Sequence, residues 1–196
     1  AFHRSYLKTT IIALTGSNGK TTTKELINAV LSKKYKTKAT VGNLNNHIGV
    51  PLTLLSMSKE TEIGIVEMGA NHQKEIEFLC SIAKPDYGLI TNFGKAHLEG
   101  FGGIEGVIKG KSEMYDFLIN NNKIIFVNGL DSIQIQKTAK ANRFTFGNTK
   151  SNCNISIDFL EAQPFVRCLC NNITINSQLI GDYNFNMGQG LAHWQG

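Results

Sequence analysis

Short apolar runs recur through the first three quarters of the chain, each followed by a polar or glycine-rich break and then by an amphipathic stretch. Ile11–Leu14, Ile63–Val66, Tyr87–Ile90 and Lys123–Val127 read as strands with continuous apolar character. A helix is expected from about Lys20 to Lys33, with Leu26, Ile27, Val30 and Leu31 as its apolar stripe. Thr37–Val41 reads as a short strand and Ile48–Ser56 as a loop running into a helix. Gln73–Ala83 reads as a helix that stops before Pro85, and Ile104–Leu118 as another. Buried strands alternating with helices predict an α/β domain, a mostly parallel sheet with helices on both faces. After about Arg143 the pattern changes. Ile155–Phe159, Phe165–Leu169 and Ile173–Ile175 are β-rich and separated by turn residues such as Asn171-Asn172. They predict a small antiparallel β annex over about 153–181, beside a parallel core over about 10–147.

Composition narrows the class without naming a chemistry. The 196 residues suffice for one domain with a core, and no apolar run is long enough to span a bilayer. The N-terminus has no signal-peptide pattern, so a cytoplasmic location is expected. The first residue is Ala1 rather than Met, so the chain reads as a fragment. Cys80, Cys153, Cys168 and Cys170 lack the spacing of a disulfide framework or zinc site and read as reduced thiols, with a metal role for the Cys168/Cys170 pair as the alternative. The net charge of +5 is scattered except at Lys33–Lys38, which reads as a solvated helix end rather than a nucleic-acid patch. An anionic small substrate also fits that charge.

The chemistry starts at Thr15-Gly16-Ser17-Asn18-Gly19-Lys20-Thr21-Thr22, which lies between a strand and a helix. Strand, Gly-rich turn, Lys, Thr and helix is the order of a phosphate-binding loop. Its backbone N–H groups and helix N-terminus make an anion site. Lys20 can reach the β- and γ-phosphates and Thr21 can ligate Mg²⁺. Leu14 stands where the general motif has its first glycine, and a Gly-rich turn capping a helix is the plainer reading.

Ligand sites in open α/β sheets lie beyond the C-terminal strand ends. Glu67, Thr91 with Asn92, and Asn128 occupy such ends and are expected to rim one crevice with the loop. Glu67 suits Mg²⁺, or caps the Met68-Gly69-Ala70 turn. His97 is either structural or a ligand or phosphate contact. On a helical wheel, Lys111 falls within the apolar stripe of Ile104, Val107, Ile108, Met114, Tyr115 and Leu118, while Lys109, Ser112, Glu113 and Asp116 fall outside it. A lysine there can snorkel to water, pair with an acid such as Glu67, or be carbamylated by CO₂.

These residues resemble the Mur ligase family over about Thr10–Tyr183. The motifs are Thr15–Lys24, Gly42–Pro51, Glu67-Met68-Gly69-Ala70, Thr91-Asn92 and Ala96–Gly102. The Asn45–Pro51 block and His97-Leu98-Glu99-Gly100-Phe101-Gly102 are most similar to the member that adds D-Ala-D-Ala to UDP-MurNAc-tripeptide. The resemblance implies a three-domain, monomeric, ADP-forming ligase of cell-wall peptidoglycan synthesis. Residues 1–196 would be its central ATP-binding domain, inactive without the N-terminal UDP-binding and C-terminal domains. It implies that Gly16, Ser17, Asn18, Gly19, Lys20, Thr21, Thr22, Asn92 and Asn184 contact ATP. Lys20, His97 and Lys111 would be catalytic. Thr21, Glu67, His97 and a carbamylated Lys111 would serve Mg²⁺, two ions in all, and Asn45 and Asn46 would face the UDP-linked substrate. Two departures stand out: Gly129-Leu130-Asp131 after Asn128, and Met187 where a second Asn is expected after Asn184. The alternatives are a diamino-acid-adding or folylpolyglutamate-like ligase, against which the Asn43–Pro51 block argues, or a nucleotide-binding module without ligase chemistry. No Asn-Lys-x-Asp base-reading motif of a GTPase occurs.

Overall fold

The computed structural model describes residues 2–95, 97–178 and 180. In chain order the elements are α1 (Phe2–Tyr6), β1 (Thr10–Thr15), α2 (Lys20–Leu31), β2 (Thr37–Ala39), α3 (Gly49–Leu55), β3 (Ile63–Glu67), α4 (Glu75–Ala83) and β4 (Tyr87–Ile90). There follow α5 (Leu98–Phe101), α6 (Ile104–Asn120), β5 (Ile124–Asn128), α7 (Ser132–Lys137), β6 (Arg143–Gly147), β7 (Ile155–Glu161), β8 (Arg167–Cys170) and β9 (Ile173–Asn176). The strands form one sheet in the order β2-β3-β1-β4-β5-β6-β7-β8-β9. Pairing is parallel from β2 to β7 and antiparallel from β7 to β9.

The expected α/β architecture is present. β1 lies between β3 and β4, and the chain reverses direction across the sheet there, the position where such folds bind ligands. Ile11, Ala13, Val66, Ile90, Ile125 and Val127 are buried strand residues of the core. α6 packs on β4 and β5 and against α4, while α2 packs on β1, β2 and β3. Gly88 on β4 lets Leu118 and Met114 of α6 come close, since a Cβ there would stand 2.5 Å from Leu118 Cδ1.

The expected small antiparallel annex is present as β7–β9, and β7 pairs with β6 through Phe146 and Ile155, so it extends the same sheet. Two differences from the sequence reading have physical causes. In α2 the buried residues are Thr23 and Lys24, while Val30 is 68% exposed. The helix turns its polar face to the strand ends because its partners there are polar. In α6 Lys111 is buried as the wheel predicts, but Ser112 and Glu113 are buried too and Ile104 is exposed. Glu113 is buried because its carboxylate accepts the N–H groups of Lys74 (2.6 Å) and Glu77 (3.0 Å) at the start of α4. A negative group there also complements the helix dipole. Glu113→Ala should lower unfolding stability by about 3 kcal/mol in a urea melt, because two charge-assisted bonds are lost and their donors stay partly buried.

α1, α5, α7 and β6 have no separate counterpart in the sequence reading. α7 does carry a legible start signal, since Asp131 accepts the N–H groups of Ile133 and Gln134 as its N-cap. That is the role of the unusual Gly129-Leu130-Asp131 stretch. Asn184 and Met187 lie outside the described residues. No helix among those residues is long and apolar enough to cross a membrane. The four cysteines form no disulfide, and burial pushes the Cys80 thiol up to about 12.

Candidate functional site

The loop after β1 is held open by the end of β4. Ser17 N–H donates to Asn92 O (3.0 Å) and Asn18 N–H to Asn92 Oδ1 (3.2 Å). Asn92 Nδ2 and Thr91 Oγ1 both donate to Asn18 O, at 3.1 and 2.6 Å. Ser17 Oγ donates to Gly94 O. Thr91 and Asn92 therefore lie under the loop and shape it, rather than lining the crevice as free polar ends. Gly16 adopts φ +145 with Thr91 directly against its α-carbon, and Gly19 adopts φ 79 where α2 begins. The first N–H groups of α2 have no intrahelical acceptor and face the same loop. Lys20 Nζ donates to Gly16 O (2.8 Å) and Ser17 O (3.3 Å). Burial lowers its pKa and the nearby Glu67 carboxylate opposes that shift.

Glu67 ends β3 at 1% exposure. Its Oε1 accepts from Asn45 Nδ2 (2.8 Å) and Thr21 Oγ1 (3.4 Å). Its Oε2 is buried without a hydrogen-bond donor, 3.9 Å from Lys24 Nζ. A buried carboxylate with Oε2 free of hydrogen-bond donors and Oε1 3.4 Å from the Thr21 hydroxyl offers hard oxygen donors that suit Mg²⁺. The capping alternative does not hold. Met68 N–H donates to Leu14 O and Gly69 N–H to Asn45 O instead. No cluster of three or more His, Cys, Asp or Glu side chains able to hold a metal occurs among the described residues. Mg²⁺ tolerates that poverty, since it often takes one or two protein carboxylates plus phosphates and water.

A cleft of about 630 Å³ opens beside this corner. Lys20, Asn45, Asn46, His47, Lys74 and His97 are among the residues that line it. Asn45 reaches Glu67, and Asn46 Oδ1 accepts the N–H groups of Ile48 and Gly49 at the start of α3. Both asparagines thus have structural bonds as well as a face on the cleft. His97 adopts φ 54 immediately before α5. Asn128 is not part of this wall. Its N–H donates to Gln134 Oε1, its Oδ1 accepts Leu130 N–H, and Gln134 also accepts from Tyr115.

Lys111 is 1% exposed and makes no ion pair among the described residues. It therefore neither snorkels nor pairs with Glu67. Gly106 and Gly110 make room on α6 for Phe101, and the Lys111 ammonium lies 5.4 Å from that ring's centre. Burial, with Lys20 as a lesser contributor, lowers its pKa to about 8. An amine in that state is a competent nucleophile toward CO₂.

The sequence reading carried Lys24 only as the end of the Thr15–Lys24 motif and gave neither it nor Glu113 a role in this region. Lys24 is fully buried four residues after Lys20, the spacing that puts both on one face of α2. That spacing was the available signal.

The sequence profile of the Mur ligase middle domain matches residues 14–187. The UDP-N-acetylmuramoyl-tripeptide–D-alanyl-D-alanine ligase of Bacillus subtilis is 41% identical over 146 residues, 74% of this chain and 32% of that protein. The Escherichia coli enzyme of that name is 46% identical over 121 residues, 62% of this chain and 27% of that protein. The chain thus spans about a third of the length of these curated relatives. A crystal structure of MurF from Acinetobacter baumannii superimposes with a TM-score of 0.87 at 30% identity, covering 97% of this chain and 43% of that one. The MurF ligase of Thermotoga maritima in complex with ADP gives 0.78 at 28% identity, covering 96% of this chain and 45% of that one. With a phosphate loop at the sheet's reversal point and a matching profile along most of its length, this chain belongs to the Mur ligase family as a middle domain.

Proposed function

We propose that the polypeptide carrying this domain is an ATP-dependent, ADP-forming ligase that joins D-Ala-D-Ala to UDP-MurNAc-tripeptide. The observation that carries the reading is the junction of the phosphate loop with Glu67 and the Asn45–His47 wall of one cleft. The names of the similar enzymes supply the substrates. The ADP complex of the Thermotoga maritima relative supports ATP as the phosphate source.

A carboxylate is a poor electrophile, so amide formation requires activation. In the proposed sequence, the tripeptide carboxylate oxygen attacks the γ-phosphorus and the bond to the bridging oxygen of ADP breaks. The amine of D-Ala-D-Ala then attacks the acyl carbon, loses its proton, and inorganic phosphate departs. The first step brings two anions together. Lys20, the α2 N-terminus and the loop amides would hold the phosphates against that repulsion. Thr21 and Glu67 would hold Mg²⁺, with His97 and a carbamylated Lys111 serving a second ion, and the metal would neutralise charge on the reacting oxygens. Asn92 acts by fixing the loop. Asn45 and Asn46 would present the cleft wall to the UDP-linked substrate. The remaining substrate contacts, including delivery of the amine, would come from parts of the polypeptide beyond this domain, so the domain alone would bind nucleotide without forming product. The reading is of an enzyme that acts as a monomer in the cytoplasm.

The test is ADP release by the complete polypeptide with ATP, Mg²⁺ and UDP-MurNAc-tripeptide, with and without D-Ala-D-Ala. Sustained turnover should require the dipeptide. Turnover indifferent to it, or supported equally by a diamino acid or glutamate, would overturn the assignment.

A further inference from the structure

Lys24 has an environment that the reaction above does not explain. It is 0% exposed, in a helix whose expected apolar stripe is partly buried at Leu26, Ile27 and Leu31 and exposed at Val30. Its ammonium donates to Gly42 O at 2.8 Å, lies 2.9 Å from Glu25 Oε1 and 3.9 Å from Glu67 Oε2. Glu25 is 60% exposed and water can satisfy it, whereas Glu67 is buried with Oε2 otherwise unpaired. A buried ammonium is costly, and a buried carboxylate is costly too; each offsets the other only when both are present.

Gly42 belongs to the turn between β2 and α3, with φ +55. That turn leads into Asn45, Asn46 and His47, the cleft wall, and Asn45 returns to Glu67 Oε1. One ammonium therefore touches three segments: the helix that follows the phosphate loop, the turn that carries the cleft wall, and the strand end that carries Glu67. Thr21, three residues earlier on α2, approaches the other carboxylate oxygen, Oε1, at 3.4 Å.

We propose that Lys24 is a positioning residue that fixes the Glu67 carboxylate and the Gly42–His47 wall relative to the phosphate loop. Its charge lies 3.9 Å from Oε2 and its bond to Gly42 O anchors the turn, so that Oε1 and Thr21 are set before a divalent cation arrives. The proposal rests on the reading of Glu67 as a metal donor. Its geometric half, the coupling between Lys24 and Glu67, can be tested without that reading.

The first experiment is a double-mutant cycle on this chain, read by thermal melts of Lys24→Met, Glu67→Gln and the pair. Lys24→Met removes the ammonium nearest to the buried Glu67 carboxylate, leaving Lys20 as a more distant counter-charge, and should lower Tm by about 10 °C. The double variant should lose clearly less than the sum of the two single losses. Losses that simply add would overturn the proposal. If Lys24→Met does not fold, recovery of a cooperative melt in the double variant supports the coupling, and failure to recover overturns it.

The second experiment measures ADP binding by calorimetry with and without Mg²⁺. In Lys24→Met the gain in affinity that Mg²⁺ confers should fall at least about tenfold, while affinity without Mg²⁺ stays within about threefold, because Lys20 and the loop amides are untouched. An unchanged Mg²⁺ gain in a folded variant would overturn the proposed role. If the unsubstituted chain shows no Mg²⁺ gain at all, the metal reading of Glu67 fails, and the melts still decide the coupling.

Discussion

Gly16→Ala will remove nucleotide binding, with a loss of affinity of at least about 100-fold, and will lower the stability of the domain by about 3 kcal/mol. A Cβ at position 16 would stand 1.9 Å from Thr91 Oγ1 and 3.0 Å from both Thr91 Cβ and Thr91 N. The backbone also sits at φ +145, where an L side chain is strained in any surroundings. Relief by moving Thr91 is costly, because its hydroxyl donates to Asn18 O at 2.6 Å and its N–H to Thr15 O at 2.9 Å. Relief by moving the loop displaces the amides that would face the phosphates. Both routes damage the same site. Calorimetry with ATP and a urea melt would check the two halves, and an alanine variant that binds ATP normally would show that the loop is not held in this conformation.

Lys111→Met will make the folded domain more stable at pH 7 while costing the complete ligase about 10²–10³ in turnover. Unfolded, the lysine keeps its proton up to about its ordinary value of 10.5, whereas in the folded protein burial releases that proton near 8. Between those two values the unfolded chain binds more protons, so stability rises with pH across that window. Below pH 8 the folded state bears the full cost of the buried charge, about 3 kcal/mol at 1.4 kcal/mol per unit. Methionine matches the volume without the charge, so its advantage should be present at pH 7, shrink above pH 8 and vanish above about 10.5. The melts belong in CO₂-free buffer, since carbamylation would replace the cation with an anion. Equal stability of the two proteins at pH 7 would contradict the buried-amine account. Unchanged turnover of the complete ligase, with or without bicarbonate, would remove Lys111 from the mechanism.

The burial of Lys111 was legible in the sequence, because one helix sufficed to show it. The wheel needs only the residues of α6, and Lys111 is buried with them. The phosphate loop was legible for the same reason: strand, glycines, lysine and helix are contiguous. Contiguity is what the other site residues lack. Lys24 closes the Thr15–Lys24 motif without any sign of burial in the sequence, and its burial depends on Gly42 and Glu67, 18 residues and further away along the chain. Glu113 looked solvated by wheel position, and is buried because α4 brings two N–H donors to it across 39 and 36 residues. Asn92 was placed in the right corner by its strand end, yet its bonds go to Asn18. Asn128 obeyed the same strand-end rule and turned to Gln134, because α7 packs against β5 and offers a side-chain amide there. Strand ends locate a crevice, but the partners that decide who faces it come from other segments.

The annex shows a similar limit. Alternation and turn residues correctly marked antiparallel strands after Arg143, and the additional strand β6 joins them edge to edge with the parallel sheet. Sequence pattern reports which face of a strand is apolar, and says nothing of which neighbour supplies its hydrogen bonds.

The central claim is that ATP activates a carboxylate as an acyl phosphate at the corner formed by Lys20, Thr21 and Glu67. It is tested most directly by running the complete ligase with UDP-MurNAc-tripeptide labelled with ¹⁸O in its terminal carboxylate, then reading the inorganic phosphate by mass spectrometry. The account predicts one ¹⁸O in each phosphate released, alongside unlabelled ADP. Phosphate without the label, or label recovered in AMP, would contradict it.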